Sequence, residues 1–256
     1  KNVTAAKFVA AMKALGFSAV EEVAVGADIC AVEEARDYLE KVPAENRFLA
    51  TSCCPSWRMM ARRLFPKESG NISMTYTPMV YTARMVKEQH PGCKVVFVGP
   101  CAAKKLEAMQ EELRNDVDFV LTYEELMGIF EAKDVDLETI EPDEELKNGT
   151  GLGRGFAAAG GVALAVEDVI RKLRPGAEVK IQRADGLREC RKLLTLARAG
   201  KLDGYLLEGM ACPGGCIAGA GTIIAPEQAA KKLKEHIAQA DVTSCADSPF
   251  RAELEK

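Results

Sequence analysis

Four cysteines stand out by their settings. Cys54 lies in Thr51-Ser52-Cys53-Cys54-Pro55-Ser56-Trp57, Cys101 in Gly99-Pro100-Cys101-Ala102-Ala103-Lys104-Lys105-Leu106-Glu107, and Cys212 and Cys216 in Glu208-Gly209-Met210-Ala211-Cys212-Pro213-Gly214-Gly215-Cys216. Each follows an apolar run and sits among Gly, Pro and small residues, where a chain leaves a strand and offers its backbone to a ligand. Four thiolates are the number a [4Fe–4S] cube requires, and by softness a tetrahedral zinc ion would accept them equally well. Because they come from three separate segments, the metal they bind would lie inside the fold. A ferredoxin, by contrast, uses one compact cysteine run.

The remaining candidates each have an ordinary reading. Cys30, Cys93, Cys190 and Cys245 lie in no motif and read as small hydrophobes or surface thiols. Cys53 adjoins Cys54 but must point elsewhere, since neighbouring side chains diverge. Glu34 and Asp37 are three apart on a predicted helix, with Lys41 four further on, which alone describes a solvated face. Lys104 reads as surface charge, and Met210 and Phe156 as core fillers. Pro55 and Pro100 shape their loops. The Gly-rich stretch 149–161 lacks the Gly-Lys-Ser/Thr ending of a phosphate loop and reads as a close backbone approach or a turn. The acidic stretch 134–145 reads as a solvated connection.

The elements that must position these residues alternate in type. Apolar bursts predict strands at 22–25, 47–50, 94–98, 118–121, 178–182 and 204–207. Periodic stretches predict helices at 5–15, 31–41, 57–64, 78–88, 123–132, 158–173, 186–199 and 226–238. That order argues for an α/β fold with parallel strands, and three strand ends meeting at one point imply two packed lobes with the site between them. With 256 residues, 48% of them apolar, a substantial core is available. A net charge of −4 and a pI near 5.5 argue against nucleic acid as the main partner. No apolar run approaches the ~20 residues of a membrane span. Nine cysteines, an odd number with two adjacent, suit a reducing compartment, so a cytoplasmic location is expected. None forms a C-x-x-C, which disfavours zinc ribbons, thioredoxin chemistry and ferredoxin modules. Lys1 is no initiator Met, the chain opens directly on a helical pattern, and 251–256 end without an element boundary. An excised domain spanning 1–256 is the expectation.

The three cysteine segments resemble the signature motifs of the [FeFe]-hydrogenase catalytic domain, approximately T-S-C-C-P-x-W, P-C-x-x-K-x-x-E and E-x-M-A-C-x-x-G-C, in the same order. The resemblance decides for iron–sulfur over zinc. It implies the iron-only hydrogenase fold: two intertwined lobes with mainly parallel sheets flanked by helices and the cofactor between them. By resemblance Cys54, Cys101, Cys212 and Cys216 hold a [4Fe–4S] cluster, and Cys216 also bridges to a diiron subsite carrying CO, CN⁻ and a dithiolate, the two together forming the H-cluster. Cys53 would pass protons, followed by Glu34, Ser73 and Asp37, the last a shorter substitute for a Glu. Lys104 would donate to a cyanide ligand, Met210 and Phe156 would pack around the diiron unit, and Pro100 would shape its wall. Ferredoxin or an accessory iron–sulfur domain would supply electrons, and maturation proteins would build the subsite, without which this fragment is expected to be inactive and metal-free. The family's first strand and any ferredoxin-like domain would precede Lys1. Departures are Gly99 for a Met, Met79 for a Gln, Gly219-Ala220-Gly221-Thr222 for a Gly-Gly-Gly-Gln ending, and one residue fewer between Glu34 and Cys53. Two rival readings are a non-enzymatic iron–sulfur relative of the prelamin A recognition factor kind, used in assembly or sensing, and a slow sensory hydrogenase.

Overall fold

Two small parallel sheets, one in each of two packed lobes, end at the three cysteine motifs. They belong to a computed structural model that describes residues 3–146 and 148–250. In the first sheet β1 (Leu49–Ala50) and β4 (Lys180–Asp185) flank β5 (Tyr205–Met210); in the second β2 (Val96–Gly99) pairs with β3 (Phe119–Thr122). The pairing extends past β1, where Thr51 N–H donates to Leu207 O (2.9 Å) and Ser73 N–H to Ala50 O (2.8 Å).

The helices are α1 (Ala5–Ala14), α2 (Ala24–Lys41), α3 (Pro55–Leu64), α4 (Pro78–Gln89), α5 (Ala103–Ala108), α6 (Tyr123–Ala132), α7 (Gly151–Gly155), α8 (Gly161–Leu173), α9 (Leu187–Arg198) and α10 (Pro226–Ala238). Their starts follow local chemistry. Pro occupies the first turn of α3, α4 and α10, where its missing N–H costs nothing. Thr122 and Glu125 form a capping box that opens α6 directly at the end of β3.

Strand alternation sorts the core of the first lobe into two layers. Leu49 and Leu206 pack with α2 and α8, while Ala50 and Leu207 pack with α3 and α9. In the second lobe Phe97 and Val120 face α4, and Val98 faces α1 and α6. The lobes are joined where α2 crosses α4. A Cβ on Gly26 would stand 2.2 Å from Pro78 O, so only glycine admits that approach.

The strand expected at 22–25 is not formed. Ala24 and Val25 are instead the first residues of α2, buried against neighbouring helices, so the helix expected at 31–41 starts seven residues earlier. The helix expected from 158 begins at Gly161, because Gly160 (φ 89°) turns the chain into it. The Gly-rich stretch expected as a turn contains α7, whose N-cap Thr150 accepts from Gly153 N (3.0 Å) and is itself tied to Asp28. The short helix α5 had no counterpart among the expected elements. The stretch 134–145 does connect the lobes, mostly exposed, with Val135, Leu137 and Ile140 packing on α1 and α6. The ending expected at 251–256 lies outside the described residues. No helix among the described residues is long and apolar enough to cross a membrane.

Candidate functional site

Each cysteine motif leaves a strand end and is fastened there by its neighbours. Trp57 in the first turn of α3 donates from Nε1 to Thr51 O (3.0 Å), and its ring covers Gly209, where a Cβ would come within 2.3 Å of it. This clamps the Cys53-Cys54 loop onto the end of β5. Pro100 accepts from Gly221 N (2.9 Å), and a Cβ on Gly219 would lie 2.3 Å from Pro100 O, which locks the Cys101 loop to the segment after Cys216. Gly214 (φ 88°) and Gly215 (φ 95°) bend the Cys212–Cys216 loop, with Gly215 N–H closing it on Cys212 O (3.0 Å).

These attachments bring the four motif thiols to one corner. Cys216 lies within electrostatic reach of Cys54, Cys101 and Cys212, and Cys212 within reach of Cys54 and Cys101. Burial, reinforced by the neighbouring thiols, pushes the Cys216 thiol up to about 12 and raises that of Cys212 as well. All nine cysteines are free thiols. The donor set fits a four-iron cube, which takes one thiolate at each iron. Among the described residues no three His, Cys, Asp or Glu side chains close about a single ion. Cys54 also accepts from Ala211 N (3.4 Å).

Cys53 turns the other way. It packs on the α2–α8 cluster that also contains Met210 and Phe156, whereas Cys54 packs on the α3–α9 cluster. Burial holds the Cys53 thiol well above its ordinary value, with Glu34 the leading charge beside it. Glu34 is fully buried on α2 and accepts at Oε1 from Ser52 N (2.7 Å) and Ser52 Oγ (3.1 Å), while Oε2 has no partner. Burial raises this carboxyl to about 8 despite those two donors. Lys104, on α5, is buried and donates to Glu107 Oε2 (2.6 Å) and to Cys53 O (3.3 Å). That engages two of its three N–H groups.

Further out, Ser73 Oγ stands 3.0 Å from Asp37 Oδ2 and 2.7 Å from Thr75 Oγ1, and Asp37 Oδ1 pairs with Lys41 Nζ at 2.7 Å. Glu34 and Asp37 thus share the face of α2 turned to Ser52 and Ser73, as the three-residue spacing allows. Ser73 contacts Asp37 and makes no hydrogen bond to Glu34. Two residues had no assigned part in the sequence reading, Ser52 and Thr75. Ser52 lies inside the first motif, a signal that could have found it; nothing local marks Thr75.

A protein-family model described as the iron only hydrogenase large subunit, C-terminal domain, matches residues 1–220. The periplasmic [Fe] hydrogenase large subunit of Nitratidesulfovibrio vulgaris is 27% identical over 88% of this chain and 64% of its own length. The cytosolic iron-sulfur assembly component 3 of Bos taurus is 28% identical over 91% of this chain and 60% of its own. The chain therefore spans less than two thirds of either relative. An [FeFe]-hydrogenase structure concerned with oxygen inactivation of the H cluster 2Fe subcluster superposes with a TM-score of 0.81 at 22% identity. It covers 98% of this chain and 83% of that one, a likeness of fold.

Proposed function

This chain belongs to the iron-only hydrogenase large-subunit family, and from that premise we propose that residues 1–256 form an H-cluster domain that interconverts protons and H2. The observation that carries this reading is the buried pair of Cys53 and Glu34 set beside the four-thiol corner. A cluster carrier needs the four thiols and has no use for a sealed thiol backed by a protonated acid.

Cys54, Cys101, Cys212 and Cys216 would hold the cubane, with Cys216 shared with the diiron unit. Bound there, the H-cluster supplies the redox chemistry and the site at which protons meet electrons. Cys53 stays a neutral thiol at neutral pH, able to donate a proton and take one back. Glu34, raised to about 8, is mostly protonated at pH 7 and restores the Cys53 proton. Lys104, fixed by Glu107 and Cys53 O, has one N–H left for an anionic ligand such as cyanide. Met210 and Phe156 line the apolar side and keep water out, and Pro100 fixes the wall through Gly221. Ferredoxin or an accessory iron–sulfur domain would deliver electrons in the cytoplasm, and maturation proteins would install the diiron unit.

The test loads the chain with cubane and diiron unit. Infrared bands of metal-bound CO and CN⁻ together with H2 turnover are expected. Cys53→Ala should keep its iron content and lose roughly 10²-fold or more in turnover, since only proton transfer is removed. The second reading, iron–sulfur assembly, is favoured by the similarity to the bovine relative. It would prevail if the cubane forms but the diiron bands never appear. Unchanged turnover in Cys53→Ala would remove the relay.

A further inference from the structure

The hydrogen bonds around Ser73 leave it no direct route to Glu34. Its hydroxyl has one proton and two lone pairs. Asp37, paired with Lys41, presents a carboxylate oxygen 3.0 Å away that can only accept, so it claims the Ser73 proton. One lone pair of Ser73 Oγ takes the N–H of Thr75 (3.1 Å). The other then receives the Thr75 hydroxyl at 2.7 Å, which makes Thr75 Oγ1 the donor of that pair. Ser73 Oγ is saturated, and among the described residues its hydrogen-bond partners are Asp37 on the outer side and Thr75 on the inner.

Thr75 also adjoins the Glu34 side. Its carbonyl accepts from Ser52 Oγ (2.8 Å), and the same hydroxyl lies 3.1 Å from Glu34 Oε1. Glu34 Oε2, buried and without a partner, is the one acceptor in this chain of contacts with nothing attached. Exposure stays low along the inner part, with Glu34 0%, Thr75 8% and Ser73 3% exposed as residues, and rises at the outer end, where the Asp37 and Lys41 side chains are 20% and 36% exposed. That gradient is what a conduit from core to solvent requires.

We infer that Thr75 is a relay residue linking Ser73 to Glu34, so that protons pass between Glu34 and Asp37 by way of Thr75 and Ser73. With the hydroxyls oriented as above, a proton moves outward: the Ser73 O–H breaks as an Asp37 O–H forms, the Thr75 proton moves to Ser73 Oγ, and the Glu34 proton moves to Thr75 Oγ1. Inward transfer is the reverse, after each hydroxyl has turned about. Every hydroxyl gains one proton and loses one, and no electrons change hands. Thr75 Oγ1 bonds Ser73 and not Glu34 Oε2, so the Glu34 step requires the Thr75 hydroxyl to swing about χ1. The inference rests on the hydrogenase reading for its purpose, though not for its geometry.

The experiment separates the two. Time-resolved infrared after a pH jump, on the chain carrying its cubane alone, follows the Glu34 carboxyl band, identified as the band lost in Glu34→Gln. Thr75→Val, equal in shape but without the hydroxyl, should slow protonation of Glu34 about tenfold or more, and Thr75→Ser should restore it. Ser73→Ala should slow it similarly, and Ser73→Ala with Thr75→Val should be no slower than either alone, because both lie on one path. In the fully loaded enzyme Thr75→Val should lower turnover at constant iron content. A Thr75→Val relaxation as fast as that of the unaltered chain, or slowing that Thr75→Ser fails to relieve, overturns the inference. Absent turnover in the loaded, unaltered chain would instead sink the hydrogenase reading and leave the pH-jump result standing.

Discussion

Two buried polar groups face the same cysteine loop and are built on opposite principles. Lys104 and Glu107 form a closed pair: each is the other's counter-ion at 2.6 Å, and the lysine is tied again to Cys53 O. Glu34 has no cation beside it, two donors on one oxygen and none on the other. In the first case burial strengthens a fixed charge by excluding water; in the second it expels the charge and keeps a proton. A dry pocket can therefore hold a permanent dipole and a mobile proton within a few residues of each other, depending only on whether a counter-ion is supplied.

The largest expected effect breaks the closed pair. Lys104→Met leaves the buried Glu107 carboxylate without its hydrogen-bonded partner, with only the Arg58 guanidinium still in electrostatic reach, and should lower unfolding free energy by about 3 kcal/mol. Adding Glu107→Leu should recover most of that loss in urea titrations. A single variant as stable as the double would mean that the pair is not closed against water.

An intermediate effect concerns the open acid. The folded-state value of Glu34, about 8, lies above its ordinary 4.5, so between those pH values the folded chain holds a proton that the unfolded chain has released. The stabilising contribution is therefore complete below pH 4.5 and is lost as pH rises toward 8, at up to about 1.4 kcal/mol per pH unit. Glu34→Gln should flatten the fall of stability with pH across that window. Asp28, raised by burial to about 6, adds a slope of the same sign in both proteins, so the difference between them is the measurement. Parallel slopes would return Glu34 to the charged class.

The smallest effect sharpens the contrast without abolishing it. Ser52→Ala removes one donor from Glu34 Oε1 and leaves the Ser52 N–H in place, at a cost of about 1 kcal/mol. The Glu34 carboxyl band should shift in frequency while its intensity at neutral pH persists. A band that vanished would mean that the Ser52 hydroxyl, and not burial, decides the protonation state.

The gathering of the cysteine segments was legible because it depends on chemistry written at single positions and on strand ends that apolar runs mark well. What failed depended on partners distant in sequence. Glu22-Val23-Ala24-Val25 alternates like a strand, yet the crossing of Gly26 over Pro78 makes Ala24 and Val25 a helix start. Helix α7 is made largely of glycine, a poor helix former, and is held by Thr150 and Asp28, the latter over a hundred residues upstream in the chain. The face of α2 was ambiguous for the same reason. Three-residue spacing puts Glu34 and Asp37 together in water as readily as in a pocket, and only the packing of Ser52 and Ser73 against them decides. Thr75 was invisible because its part is set by which lone pairs of Ser73 are already taken.

The contact between Gly219 and Pro100 O has a consequence for inheritance. The gap between the Cys101 loop and the Cys216 loop is set by main chain lying on main chain, so no side-chain length enters its width. Residues around the corner can then change freely from one descendant to the next while the aperture stays constant. A single methyl group at Gly219 would instead act as a wedge, parting the two walls whatever else the sequence had conserved.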